Sequence, residues 1–223
     1  MPMTPVNAPN RYACLRQLIP YAVRATRTAP LAVAAAAALL LAGGPALAGG
    51  VRMTDVVLLM RAGAVLIAVG AAFVLDDPAA RTTEVVPLPR WLPRAVRGTL
   101  AVLCAGCAWA GVVVLGTFAT NPDERPLLPA GGLTLEALAL LSLVLALAAL
   151  GLRLTPGGGG ALAAPGTVLC VLVGALLPLP DAARPFAQPL SQAWDTSRWT
   201  WAAVLCAAAA TAVALCREPG PRT

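Results

Sequence analysis

A succession of apolar runs, each about 20 residues long and separated by short stretches of Gly, Pro and charge, constrains this chain more than any other feature. A helix of that length is about 30 Å long, the thickness of a bilayer's hydrocarbon core. In hydrocarbon every backbone N–H and C=O needs an internal partner, and a helix supplies one within the segment. The first run is Ala29–Ala48, and further runs cover Thr54–Leu75, Thr99–Phe118, Leu133–Leu154, Ala161–Leu179 and Trp199–Cys216. The separators include Asp76-Asp77-Pro78, Asn121-Pro122-Asp123 and Thr155-Pro156-Gly157-Gly158-Gly159-Gly160, all typical chain breakers. The expected fold class is all-α, a polytopic transmembrane bundle of six spans with both termini on one side.

Composition supports the same class. The chain is 59% hydrophobic and 12% charged, whereas soluble domains run near 45–50% and about 25%. Ala46-Leu47-Ala48, behind a basic leader, also fits the cleavage site of a secretory signal peptide. The leader is unusually long for a signal, so a retained first span is the expectation.

The basic residues give the orientation. There is no His and no Lys, and all 16 basic residues are Arg. Distributed over alternate loops, Arg11, Arg16, Arg24, Arg27, Arg81, Arg90, Arg94, Arg97, Arg153, Arg217 and Arg222 fall on one side. Only Arg52, Arg125, Arg184 and Arg198 fall on the other, with Arg61 inside a span. Because cytoplasmic loops carry the excess of basic residues, both termini are expected in the cytoplasm. An anionic membrane surface therefore accounts for the net charge of +6, and no basic soluble domain is present to bind nucleic acid.

Residues 1–28 divide into a Pro- and Asn-rich tail and a stretch, Arg11 to Arg27, with helical amphipathic spacing. Tyr12, Leu15, Leu18, Ile19 and Ala22 share one face, and Arg16, Gln17, Arg24 and Arg27 another, with Pro20 expected to kink the helix. This reads as an interfacial helix lying on the membrane. The membrane domain then occupies 29–217, and 218–223 form a second cytoplasmic tail.

The connection after the second run, about 76–98, is the longest expected cytoplasmic segment. Asp77 suits a helix cap, Pro78 the first helical position, and Ala79, Ala80 and Arg81 continue the helix towards Glu84. Pro87, Pro89 and Pro93 predict an extended remainder, with Trp91 among arginines as an interfacial anchor. On the opposite side, Asp181 to Arg198 carries Phe186 and Trp194, with Pro180, Pro185 and Pro189 precluding a long helix. Either a short surface-lying or re-entrant hairpin or an ordinary loop with an aromatic belt accommodates that segment.

Little in the chain supports chemistry. Without His or Lys there is no Ser-His-Asp triad, no His-ligated metal site and no Schiff-base lysine. Cys104 and Cys107 form a Cys-x-x-Cys pair, but inside the third span and without a second pair they read as small hydrophobes. The same reading covers Cys14, Cys170, Cys206 and Cys216. Gly157 to Gly160 lacks the Lys-Ser/Thr of a nucleotide-binding loop and reads as a linker. No cofactor is expected, and the chain is expected not to be an enzyme. Gly63, Gly70, Gly106, Gly111 and Gly174 permit close helix packing within a bundle or between subunits.

Two ionisable residues inside spans stand out. Arg61 lies about one and a half turns inside the second span and Glu136 about one turn inside the fourth, both from the outer side. In the simplest reading Arg61 snorkels outward and Glu136 complements its helix N-terminus. Their opposite charge and similar depth also fit a pair, or two residues lining a polar path.

This organisation resembles the membrane subunits of type-2 ABC transporters, especially small actinobacterial ones. The likeness covers nearly the whole chain, and its most specific string is Phe73-Val74-Leu75-Asp76-Asp77-Pro78-Ala79-Ala80 followed by a Pro-, Trp- and Arg-containing stretch. The resemblance implies that Arg11 to Arg27 is the connecting helix and that Asp77 to Glu84 is the coupling helix docking a separate ATPase subunit. It further implies two membrane subunits, a bacterial plasma-membrane location, and ATP hydrolysis in the partner. The expected function is the permease subunit of an ATP-driven exporter. The competing expectation is a non-transporting membrane scaffold or sensor that binds a cytoplasmic protein through the same loop.

Overall fold

The computed structural model describes residues 28–47, 49–75, 91–154, 166 and 185–216. Within them lie five long helices, named α1 (Ala29–Leu47), α2 (Met53–Ala72), α3 (Trp91–Ala119), α4 (Ala130–Leu154) and α5 (Ala193–Cys216). Short 3-10 turns follow α2 at Phe73–Leu75 and precede α4 at Arg125–Leu127. No strand occurs among the described residues, only one isolated bridge between Val51 and Thr120. α1, α2, the 95–119 part of α3 and the 130–151 part of α4 are long and apolar enough to cross a membrane. The expected interfacial helix at 11–27, the coupling segment at 76–90 and the run at 161–179 lie outside the described residues, residue 166 excepted.

Helix boundaries depart from the apolar runs in two places. The extended reading of the Pro-rich remainder is corrected from residue 91 onward, where the helix already begins at Trp91. Pro93 falls in the first turn, where its missing N–H would have had no intrahelical partner. With 29 residues, α3 is about 44 Å long and outreaches the hydrocarbon core. Likewise α5 starts at Ala193, six residues before the apolar run, so Asp195, Thr196, Ser197 and Arg198 are helical.

α2 is the hub, packing against α1, α3 and α4, while α5 packs on α4. Its buried residues Val56, Met60, Gly63, Ala64, Ile67, Ala68 and Ala71 recur at helical spacing and form one broad face, opposite the exposed Asp55, Leu58 and Ala62. Close approach to α1 depends on small residues. A Cβ on Gly70 would lie 2.7 Å from Ala34 Cβ and 3.0 Å from Leu31 Cα, and one on Gly63 would meet Ala38 Cβ at 3.4 Å. Gly111 admits Leu39 and Gly116 admits Met60 in the same way. Gly106 differs from the expectation, since no atom lies within 4 Å of its Cβ position.

The outward faces are apolar. Val33 and Leu40 on α1, Leu58 on α2, and Leu103 and Phe118 on α3 are all more than half exposed. Helices of membrane-crossing length with such cladding mark a membrane protein.

The ends of α1 to α4 nearest Met53 are tied by their loops. Gly49 and Gly50 turn the chain at φ +92° and +91°, a region open mainly to glycine. Val51 then donates to Ala119 O at 3.0 Å and accepts from Asn121 N at 3.2 Å. Arg52, at the N-cap of α2, provides no side-chain cap. Glu124 Oε2 substitutes by accepting the Met53 N–H at 2.6 Å from a distant loop, placing a carboxylate at the positive end of the helix dipole. Arg125 closes the same loop through Thr120 O and Phe118 O, both at 3.0 Å.

Candidate functional site

The charges at Arg61 and Glu136 meet. Arg61 Nε donates to Glu136 Oε2 at 2.8 Å, and Nη2 donates to Oε1 at 2.9 Å. The result is a bidentate pair between α2 and α4 whose side chains are 13% and 3% exposed. Planar fork-to-carboxylate geometry is something a guanidinium can provide and an ammonium cannot. Of the readings left open by the sequence, snorkelling of Arg61 is therefore overturned in favour of pairing. The physical reason is depth: α2 begins at Met53 and α4 at Ala130, so the residues sit about 12 Å and 9 Å along their helices. An outward-turned arginine would forfeit a ready counter-ion at nearly the same level.

Residues 185–187 complete the shell around the guanidinium. Nη2 also donates to Ala187 O at 2.7 Å, and Nη1 to Phe186 O at 3.4 Å. The Phe186 and Trp194 rings lie 5.4 Å and 5.9 Å from the guanidinium carbon, within range of a cation–π contact. The sequence reading places both aromatics in an interfacial loop; the structure turns them inward onto Arg61. The partial burial that the apolar content of Asp181 to Arg198 permits is present over 185–187, with Ala187 at 3% exposure, while 181–184 lie outside the described residues.

Local contacts hold the aromatics there. Pro185 O accepts from Ser197 Oγ at 2.9 Å and from Trp201 Nε1 at 2.7 Å. The Phe186 and Trp201 rings pack with centroids 5.4 Å apart. Trp194 lies over Gly132, where a Cβ would approach its ring to 2.5 Å. Leu190, between the segment and α5, adopts φ +67°, which side chains other than glycine seldom take.

Beside the pair, an apolar groove runs between α2, α3 and α4, lined by Ala64, Ile67, Ala68, Ala105, Gly106, Trp109, Ala137, Leu138 and Leu141. Trp109 Nε1 donates to Thr134 Oγ1 at 3.2 Å, a polar link from α3 to α4 beside the ion pair from α2. Arg97, counted above as a loop cation, is buried at 6% exposure on α3.

The other expected sites fare differently. Asp77, Pro78, Ala79, Ala80, Arg81 and Glu84, and Tyr12, Leu15, Arg16, Ile19 and Arg24, all lie outside the described residues. Cys104, Cys107 and Cys206 are exposed free thiols on helix surfaces. Among the described residues no three His, Cys, Asp or Glu side chains gather to hold a metal ion. Glu124 went unsuspected, because nothing local in the sequence relates it to the start of α2. The arrangement at Arg61 is suited to joining helices and holding a loop, since its charges satisfy each other and its donors are engaged. No protein-family model, curated protein or solved structure matches the chain.

Proposed function

We propose that this protein is the membrane-spanning permease subunit of an ATP-driven exporter, with six spans, cytoplasmic termini and a bacterial plasma-membrane location. The observation that carries the reading is the order of features after α2: an apolar helix, then Asp76-Asp77-Pro78-Ala79-Ala80, then an Arg-rich, Pro-containing lead into α3. It resembles the span exit and coupling helix of type-2 ABC membrane subunits. The Arg asymmetry supports the orientation, and the packing of α1 along α2 and α3 supports a first span that stays with the bundle. In this reading the segment Asp77 to Glu84 docks a separate ATPase, and two membrane subunits flank the path taken by the cargo.

Co-purification with an ATPase subunit tests the proposal. Asp77→Ala removes about 0.5–2 kcal/mol of helix capping, and Ala80→Pro about 3 kcal/mol if Ala80 lies beyond the first turn. Both variants should lose bound ATPase while membrane abundance stays level. Retention by both refutes docking through this segment. A wild-type chain that binds no ATPase favours the scaffold or sensor reading. In a Cys-free background, single cysteines at Asp123 and Gln188 should label from outside and those at Thr83 and Pro219 should not; outside labelling at Thr83 reverses the topology.

A further inference from the structure

The described helices form two groups. α1, α2 and α3 pack mutually, α5 packs on α4, and the groups meet mainly along α2 and α4. Small side chains line this seam, among them Ala64 and Ala68 of α2 and Ala137 of α4. In a lipid environment no hydrophobic drive favours one apolar face over another, so a seam is held by packing and by the polar bonds that cross it. At the Met53 end, beside the Trp109–Thr134 bond from α3 to α4, those bonds centre on one guanidinium, which reaches Glu136 of α4 and the carbonyls of Phe186 and Ala187.

The short segment 185–187 is fastened on two sides. Pro185 O binds it to Ser197 and Trp201 of α5, and Arg61 binds it to α2. Leu190 adjoins it in a left-handed conformation although the residue is 73% exposed, so packing does not hold it there. Residues in such conformations persist where their surroundings impose them, and they recur in segments that switch. Here the turn bonds from Ser191 N and Oγ to Gln188 O, together with the anchored carbonyls, impose it.

We propose that residues 185–187 form a strap over the Met53 end of the α2–α4 seam, that Arg61 is its latch, and that withdrawing Arg61 frees the strap to lift away from α2. This device stands independently of whether an ATPase binds.

The test places a single cysteine at Ala187, which the strap keeps buried, after all six native cysteines are replaced. A second protein carries its cysteine at Ala119, fully buried at the same end but within the loop bridge to Val51. Both are reconstituted in lipid nanodiscs, which expose both faces, and reacted with N-ethylmaleimide. With Arg61→Met, labelling at Ala187 should accelerate by about ten-fold or more, as local opening without global unfolding predicts, while Ala119 stays protected. Unchanged labelling at Ala187 overturns the latch, because Pro185 alone would then hold the strap. Equal acceleration at Ala119 also overturns it, since that reports general loosening. If Arg61→Met does not accumulate, Arg61→Lys carries the test with the same three outcomes, because it keeps the charge but lacks the fork that spans carboxylate and carbonyls.

Discussion

Breaking the Arg61–Glu136 pair should be among the most destabilising single changes in the described helices. Each charge-assisted hydrogen bond contributes about 1.5–3 kcal/mol, and two join these side chains. Removing one partner of a buried pair costs about 3–5 kcal/mol, against about 0–1 for an exposed one. Side-chain exposures of 13% and 3% place this pair in the buried class. Glu136→Ala should fall at the lower end, because the guanidinium keeps two carbonyls and two aromatic faces. Arg61→Met should fall at the upper end, since it strands a carboxylate that is nearly fully enclosed. The double variant Arg61→Met/Glu136→Leu removes both charges and should return to within about 1–2 kcal/mol of wild type. Equilibrium unfolding in mixed micelles, followed by Trp fluorescence, measures all four corners of the cycle. A coupling above about 1.5 kcal/mol is expected for a close charge pair. Additivity within about 0.5 kcal/mol would refute the reasoning, because the two residues would then act separately.

Three further outcomes follow from packing and backbone geometry. Gly132→Ala puts a Cβ 2.5 Å from the Trp194 ring, so it should displace the indole, shift tryptophan emission and cost about 1–3 kcal/mol by overpacking; unchanged emission and stability would contradict the contact. Gly70→Leu drives a side chain into the Leu31 backbone, so it should separate α1 from α2, seen as faster proteolysis of α1 in nanodiscs; wild-type resistance would show that the helices are not so close. At Leu190, with φ +67°, glycine should be neutral or stabilising by up to about 1 kcal/mol, whereas valine should destabilise by about 1 kcal/mol. A melting series that ranks valine above glycine would exclude the left-handed turn.

The apolar runs were legible because hydrocarbon imposes one requirement along a whole segment. Ala29–Ala48 against an observed Ala29–Leu47, and Leu133–Leu154 against Ala130–Leu154, differ little. Errors arose where helix and hydrocarbon part company. A run such as Trp199–Cys216 marks the apolar stretch, whereas α5 continues through polar Asp195 to Arg198. Pro93 signals a break only where its helical position is not fixed, and in a first turn it breaks nothing. Of the buried site, the two charges were visible as oddities, and their similar depth suggested a pairing. The carbonyls of Phe186 and Ala187 were not visible, since every residue carries one. Glu124 likewise looks like any loop acid until a chain separation of 71 residues closes.

Arg61 leaves the ribosome 75 residues before Glu136 and 125 before Phe186. At about 5–20 residues per second, the carboxylate arrives roughly 4–15 s later. If α2 inserts as it is made, it enters the bilayer with its guanidinium unpaired, against an insertion penalty of up to about 2.5–3.5 kcal/mol for a charge at mid-helix. Its Val56, Val57, Leu58, Leu59, Val65, Leu66 and Ile67 offset that penalty during translation, before any tertiary contact exists. Substitutions that thin this apolar reserve should thus show up as missed insertion of α2 even when the finished bundle would tolerate them.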